Sequence, residues 1–163
     1  MAMATIEELF EHELRNIYSA EHALLTVLAR MADESSDKDI RKAYTSHRKE
    51  TQGQIRRLDK VFKTLGQKAT PGSCAGIEGL IKEKTAFVRA KPSAELLEFY
   101  NIGAAQKTER YEITCYELLI DMADKLGLQE AVELLAQNLR EEADALNSLK
   151  TIASEFDVTE VDE

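Results

Sequence analysis

The sequence predicts an all-α fold of four long helices and one shorter one, and three observations carry that reading. Apolar residues recur at intervals of three and four along most of the 163 positions, and no stretch alternates as a half-buried strand would. Only two prolines and seven glycines interrupt the chain. An apolar fraction of 44% beside 31% charged residues suits a globular protein with a real core.

The first helix opens at Thr5, which forms a capping box with Glu8 three residues on. Ile6, Leu9, Phe10, Leu14, Ile17, Leu24, Leu28 and Met31 then keep helical spacing to about Asp33. "DESSDKD" breaks the pattern, and Ser36 is expected to cap the second helix. That helix carries Ile40, Ala43, Tyr44, Ile55, Leu58, Val61, Phe62 and Leu65, with Gly66 where a C-terminal cap belongs. "QKATPGS" is a turn-rich connection. Cys74, Ile77, Leu80, Ile81, Phe87 and Val88 give a shorter helix that ends near Pro92. Ser93 opens a third long helix through Leu126, closed by Gly127, and a fourth runs from about Leu128 to Glu155. Residues 1–155 therefore read as one helical domain and 156–163 as an acidic tail. Short connections plus one long crossover with its own helix is the plan of a ferritin-like four-helix bundle.

The net charge is −9, and Lys and Arg alternate with acids instead of forming a basic stripe. No nucleic-acid partner is expected from that pattern. No run approaches the roughly 18 apolar residues of a membrane span. The start "MAMATIEELF" lacks the basic and apolar regions of a signal peptide. A cytoplasmic protein without a membrane partner is the expectation. Cys74 and Cys115 lack a CxxC spacing and read as reduced thiols, with Cys74, at a helix start, the one redox candidate. No Ser-His-Asp arrangement, phosphate-binding glycine loop or zinc spacing is present, so no catalytic or cofactor-binding residue is named.

The acids on the inner faces are more informative. In "KTERYEITCYELL", Glu109 and Glu112 stand three residues apart, on the same side as Ala105, Ile113, Tyr116, Leu119 and Ile120. Glu21 sits among Ile17, Leu24 and Leu28. His47, Glu50 and Gln54 lie between Ala43, Ile55 and Leu58, and Glu142 lies between Leu135, Leu139, Leu146 and Leu149. An isolated buried carboxylate costs several kcal/mol, and converging ones repel. Two divalent cations turn that repulsion into ligation, and oxygen-rich shells suit iron, with manganese the alternative. Each acid alone is explained as well by a solvated helix face; it is their agreement at similar depth on four helices that predicts a metal site.

"YSAEHALLTVLARMA", "HRKETQGQIRRLDKVF", "CAGIEGLIKE" and "AAQKTERYEITCYELL" resemble, in order, the bacterial YciF-type stress-protein family. The resemblance runs from Ile6 to about Ala153. It implies a ferritin-like bundle that holds two metals and forms a homodimer, without an established activity. By position it implies Glu21, Glu50, Glu109, Glu112 and Glu142 as metal ligands. The E-x-x-E pair is also similar to that of rubrerythrin, a peroxide-reducing di-iron protein. Di-iron bundles usually carry Glu-x-x-His on two helices, whereas here Gly53 follows Glu50 and Ala145 follows Glu142 at that spacing. His47, the one inward histidine, is a ligand, a hydrogen-bond partner of a ligand, or a packed side chain.

Several other residues carry two readings. Gly53 and Gly103 within helices mark either a close helix approach or tolerated surface positions. Tyr18, Tyr111 and Tyr116 either hydrogen-bond ligating carboxylates or fill the core. His12 and His22 read as solvated or structural. Val27 and Val61 are placed on the outer sides of the first two helices, compatible with a dimer. Three functions follow in order: a possible oxidoreductase whose two ions react with peroxide or dioxygen; a non-enzymatic dimeric stress protein with a structural or vacant site; and, last, a DNA-sheathing protector, disfavoured because no Lys or Arg precedes Arg15.

Overall fold

The computed structural model describes residues 3–157 and, among these, contains five helices and no strand. They are α1 (Ile6–Glu34), α2 (Lys38–Thr64), α3 (Ala75–Arg89), α4 (Ala94–Lys125) and α5 (Gln129–Glu155). The Thr5 hydroxyl accepts from the Glu8 amide at 3.2 Å, and the Glu8 carboxylate accepts from the Thr5 amide at 3.1 Å. Ser93 caps α4 by accepting from the Leu96 amide at 3.3 Å. Gly66 and Gly127 take φ of +67° after α2 and α4, the left-handed backbone that glycine adopts without strain.

One expected cap is corrected. Asp37, not Ser36, opens α2, its carboxylate accepting from the amides of Asp39 at 2.7 Å and Ile40 at 3.0 Å. The carboxylate also favours the positive end of the helix dipole. The Ser36 hydroxyl is drawn instead to Glu98, to which it donates at 2.8 Å.

Three residues join α1 to α2 and three join α4 to α5, so each pair forms an antiparallel hairpin. Hydrogen bonds from Ser35 to Glu98 and from Tyr116 to Glu21 show α4 running antiparallel to α1. Those from Gln54 to Glu142 and from Arg57 to Glu141 show α5 antiparallel to α2. The segment from the end of α2 to the start of α4 must therefore travel the length of the bundle, carrying α3 against α1 and α4. This is the ferritin-like arrangement.

The apolar interior falls into two clusters. One gathers Phe10, Leu14, Ile17, Leu58, Phe62, Tyr116, Leu119 and Leu135. The other gathers Leu28, Met31, Ile40, Tyr44, Ile102 and Leu149 at the opposite end. Val61, expected on the outside, is fully buried in the first cluster, because it shares a face with Leu58 and Phe62 at helical spacing. Val27 is half-buried and packs against both clusters. Of the segment read as a tail, Phe156 packs on the second cluster and stacks on Phe99 at 5.6 Å, while 158–163 lie outside the described residues.

Gly53 and Gly103 mark no close helix approach. A Cβ on Gly103 would meet nothing within 4 Å, and one on Gly53 only the guanidinium ends of Arg57 and Arg56, from its own helix. The close approach is at Gly76 in α3, where a Cβ would fall 2.5 Å from the Tyr111 ring of α4.

Candidate metal centre

Between the two apolar clusters lies a polar layer drawn from all four long helices. Glu109 and Glu112 project inward from α4, Glu142 from α5 and His47 from α2, all buried. One ligand atom from each of these four lies within 4.8 Å of the others, a spacing that could hold a metal ion. His47 Nε2 stands 3.1 Å from Glu109 Oε1 and 3.6 Å from Glu142 Oε2. Glu21 is fully buried on α1 and accepts from the Tyr116 hydroxyl.

Glu50 is placed differently from the sequence expectation. Its side chain is 44% exposed, at the rim, and its carboxylate meets His47 Nδ1 at 3.2 Å. Three residues advance a helix by about 300°, which leaves Glu50 some 60° off the direction of His47. Thr51, one step further, takes the buried position. The structure thus gives Glu50 contact with the outer nitrogen of the ring and turns the inner nitrogen toward the acids. A carboxylate fixing the ring this way is how ligating histidines are commonly oriented.

The electrostatics of the layer are those of an under-neutralised acid cluster. Burial pushes the Glu112 carboxyl well above its usual range, and the charges of Glu21 and Glu109 add to the rise. Glu142 is raised by burial and by Glu112 and Glu109. Burial lifts Glu21 to about 8 despite the Tyr116 hydrogen bond and the His47 charge, which pull it down. For His47 burial works downward, but the charge and hydrogen bond of Glu109, with help from Glu50 and Glu21, win and raise it to about 10. Glu109 is held low: burial opposes ionisation, yet the Glu142 hydrogen bond and the His47 charge outweigh it. Without a metal the layer pairs His47 with Glu109 and pushes Glu21, Glu112 and Glu142 toward their protonated forms.

The donor count tests whether a cation fits. Glu112 is 1% exposed, and neither of its oxygens has a hydrogen-bond partner. Glu21 Oε2, Glu109 Oε2, Glu142 Oε2 and Gln54 Oε1 are buried without partners as well. Leaving one buried polar atom unsatisfied costs about 1–3 kcal/mol, and either protons shared among the acids or a bound cation would satisfy these six oxygens. Carboxylate oxygens with a single imidazole form a donor set suited to iron or manganese.

Other polar side chains order the layer, and the sequence reading passed over most of them. Gln54 donates to Glu142, and Asn138 donates to the Tyr116 hydroxyl at 3.0 Å. Arg57 donates to Asn138 and pairs with Glu141, tying the interior to a half-buried ion pair. Asn138 lies four residues before Glu142, so its place on the same inner face was the available signal. Tyr116 is the tyrosine that touches a buried acid; Tyr18 bonds Asp59 at 3.1 Å and Tyr111 meets Cys74 at 3.3 Å. Cys74 and Cys115 are free thiols, and burial pushes Cys115 up to about 11. His22 is exposed and packs edge-on against Tyr18, and exposed His12 contacts Asn16. Among the described residues no helix is long and apolar enough to cross a membrane.

Fold and layer together define a four-helix bundle with a buried histidine–carboxylate cluster able to receive a metal ion. The chain belongs to the family described as a domain of unknown function, DUF892, whose model matches residues 5–161. It is 38% identical over 143 residues to Protein YciF of Escherichia coli (strain K12), covering 87% of this chain and 86% of that protein. The crystal structure of the E. coli stress protein YciF matches with a TM-score of 0.88 at 37% identity, over 93% of this chain and 96% of that one. YcfI of Rhodopseudomonas palustris matches with a TM-score of 0.88 at 40% identity, over 91% and 94% of the two chains. A Xanthomonas campestris protein at 18% identity and a TM-score of 0.74, over 92% of each chain, shares the fold.

Proposed function

We propose that this protein holds two divalent ions, iron first and manganese second, in the polar layer and uses them to react with peroxide or dioxygen. The observation that carries the reading is Glu112, a buried carboxyl with no donor for either oxygen. His47, Glu109, Glu112 and Glu142 would hold metal, with Glu21 reached through the adjoining Tyr116. Bound iron or manganese would supply one-electron redox chemistry and a Lewis acid. The chain's own residues do the rest. Glu50 orients His47, Gln54 orients Glu142, and Tyr116 holds Glu21 by donating its O–H to that carboxyl group. The flanking apolar clusters close the layer above and below, leaving access to it through clefts between the helices. The same reading takes the protein as a cytoplasmic homodimer, for which sedimentation at micromolar concentration is the check.

The test is metal analysis of the purified chain after reconstitution with ferrous or manganous ion. About two equivalents are expected, in line with a dinuclear site. Binding no tighter than that of a Glu112→Gln variant sinks the reading. The alternative, a non-enzymatic stress protein with a structural or vacant site, draws on one observation. The His47–Glu109 pair and the raised acids let the layer exist without a metal. Peroxide consumption no faster than that of free metal would favour it.

A further inference from the structure

Two clefts reach the polar layer from different sides. One, of about 320 Å³, lies between α1, α3 and α4; the other, of about 350 Å³, lies chiefly between α2 and α5. Leu28, His47, Ala105 and Glu109 line both, so these four side chains form the partition between them. The chemistry of the two differs. The α2–α5 cleft carries Asp39, Glu50 and Asp144 against Lys42, a surface that attracts cations. The α1–α3–α4 cleft is walled by Leu24, Leu28, Met31, Ile77, Leu80 and Ile81.

The rim of the apolar cleft has the opposite charge. Lys84 is taken up by Glu34 at 2.6 Å and Lys107 by Glu83. Arg30 and Arg89 also line the cleft, both exposed, and neither makes an ion pair among the described residues. In a chain of net charge −9, two free guanidiniums beside one apolar cleft are a local reversal of sign. The wall itself is fixed. Gly76 seats the start of α3 on Tyr111, and Phe87 near its end stacks on Tyr100 with ring centroids 3.9 Å apart.

We propose that the α1–α3–α4 cleft binds an amphiphilic carboxylate, with its acyl chain along the aliphatic wall, its far end toward His47 and Glu109, and its head group at Arg30 and Arg89. The volume is at the lower end for small-molecule sites, and the apolar lining with few polar groups is their usual character. Guanidinium forks match a carboxylate in charge and shape. For its chemistry the proposal rests on the metal reading, naming the class of organic molecule brought to that site; for binding it does not.

Isothermal titration of the full chain, metal-free and metal-loaded, with dodecanoate below its micellar range is the test. Saturable one-to-one binding is expected, with dodecanol weaker and dodecyltrimethylammonium weaker still. Arg30→Glu with Arg89→Glu should weaken dodecanoate about tenfold and leave dodecanol unchanged. Ala104→Trp, which places bulk in the cleft without touching the second one, should abolish binding while metal content holds. Equal binding by the double arginine variant, or tightest binding by the cationic amphiphile, overturns the proposal. Should Ala104→Trp fail to fold, the exposed arginines decide alone. Normal metal content without dodecanoate binding ends this proposal and spares the metal reading; the converse result does the reverse.

Discussion

Glu98 and Glu112 lie on the same face of α4, fourteen residues and nearly four turns apart, and both are buried. Glu98, 6% exposed, receives the hydroxyls of Ser35 and Ser36 and the amide of Asp37. Glu112 receives nothing. The first carboxyl holds the α1–α2 turn against the start of α4 and has the donors to do so. The second is surrounded by Glu21, Glu109 and Glu142, and a fold that needed it only for structure would have supplied a hydroxyl or an amide. The contrast separates a buried acid that the fold supplies with donors from one that it leaves without any, as the proposed metal site would require.

The largest expected effect breaks that contrast at Glu112. Glu112→Gln should weaken metal binding by about a hundredfold, a loss read by competition with a chromophoric chelator. The metal-free variant should be at least as stable as the parent, because a raised carboxyl has been replaced by a neutral isostere. Glu98→Ala should do the opposite. It strands three donors and should cost about 2–3 kcal/mol, lowering Tm by roughly 5–10 °C at unchanged metal stoichiometry. A Glu98 variant that loses metal, or a Glu112 variant that loses only stability, would erase the distinction.

Proton linkage sharpens it. Glu21 rises from 4.5 to about 8 on folding, and Glu112 and Glu142 rise with it, so the metal-free folded state binds more protons than the unfolded chain. The Glu21 contribution is full below pH 4.5 and is lost as pH climbs through about 8, and those of Glu112 and Glu142 have the same sign. His47 adds to the same slope, with a contribution complete below 6.5 and lost toward about 10. Calorimetry of chelated protein should therefore show Tm falling between pH 5 and 8. The metal-loaded form should not follow, since ions take the place of those protons, and metal affinity should rise over the same interval.

The smallest effects come from glycines. Gly76→Ala forces a methyl into the Tyr111 ring and should destabilise by about 1–3 kcal/mol in urea denaturation. Gly103→Ala meets open space within α4 and should stabilise by about 0.5–1 kcal/mol.

Much of this was legible in the sequence, for particular reasons. Thr5, Gly66, Ser93 and Gly127 act on their own neighbours, so their roles follow from local chemistry. Glu21, Glu109, Glu112 and Glu142 each have apolar residues three or four positions away, which report direction even without a partner. His47 and Glu50 were harder, because residues 45–54 of α2 include no apolar side chain to separate directions about 60° apart. Glu98 was hidden for another reason: what makes it tolerable is a turn sixty residues away in sequence, brought near only by the crossover. Lys84 and Arg30 belong to the same class, since nothing local shows which cation will find an acid and which will not.

The split interior has a mechanical meaning. A belt of ionisable groups cuts the greasy centre into an upper and a lower half, and across the belt the grip is only as good as the charge balance at that moment. Loaded, the ions would rivet four helices at mid-height, and the molecule should melt in one step. Stripped at alkaline pH, amide exchange should quicken first at the girdle around Glu109 and Glu142, before either end gives way.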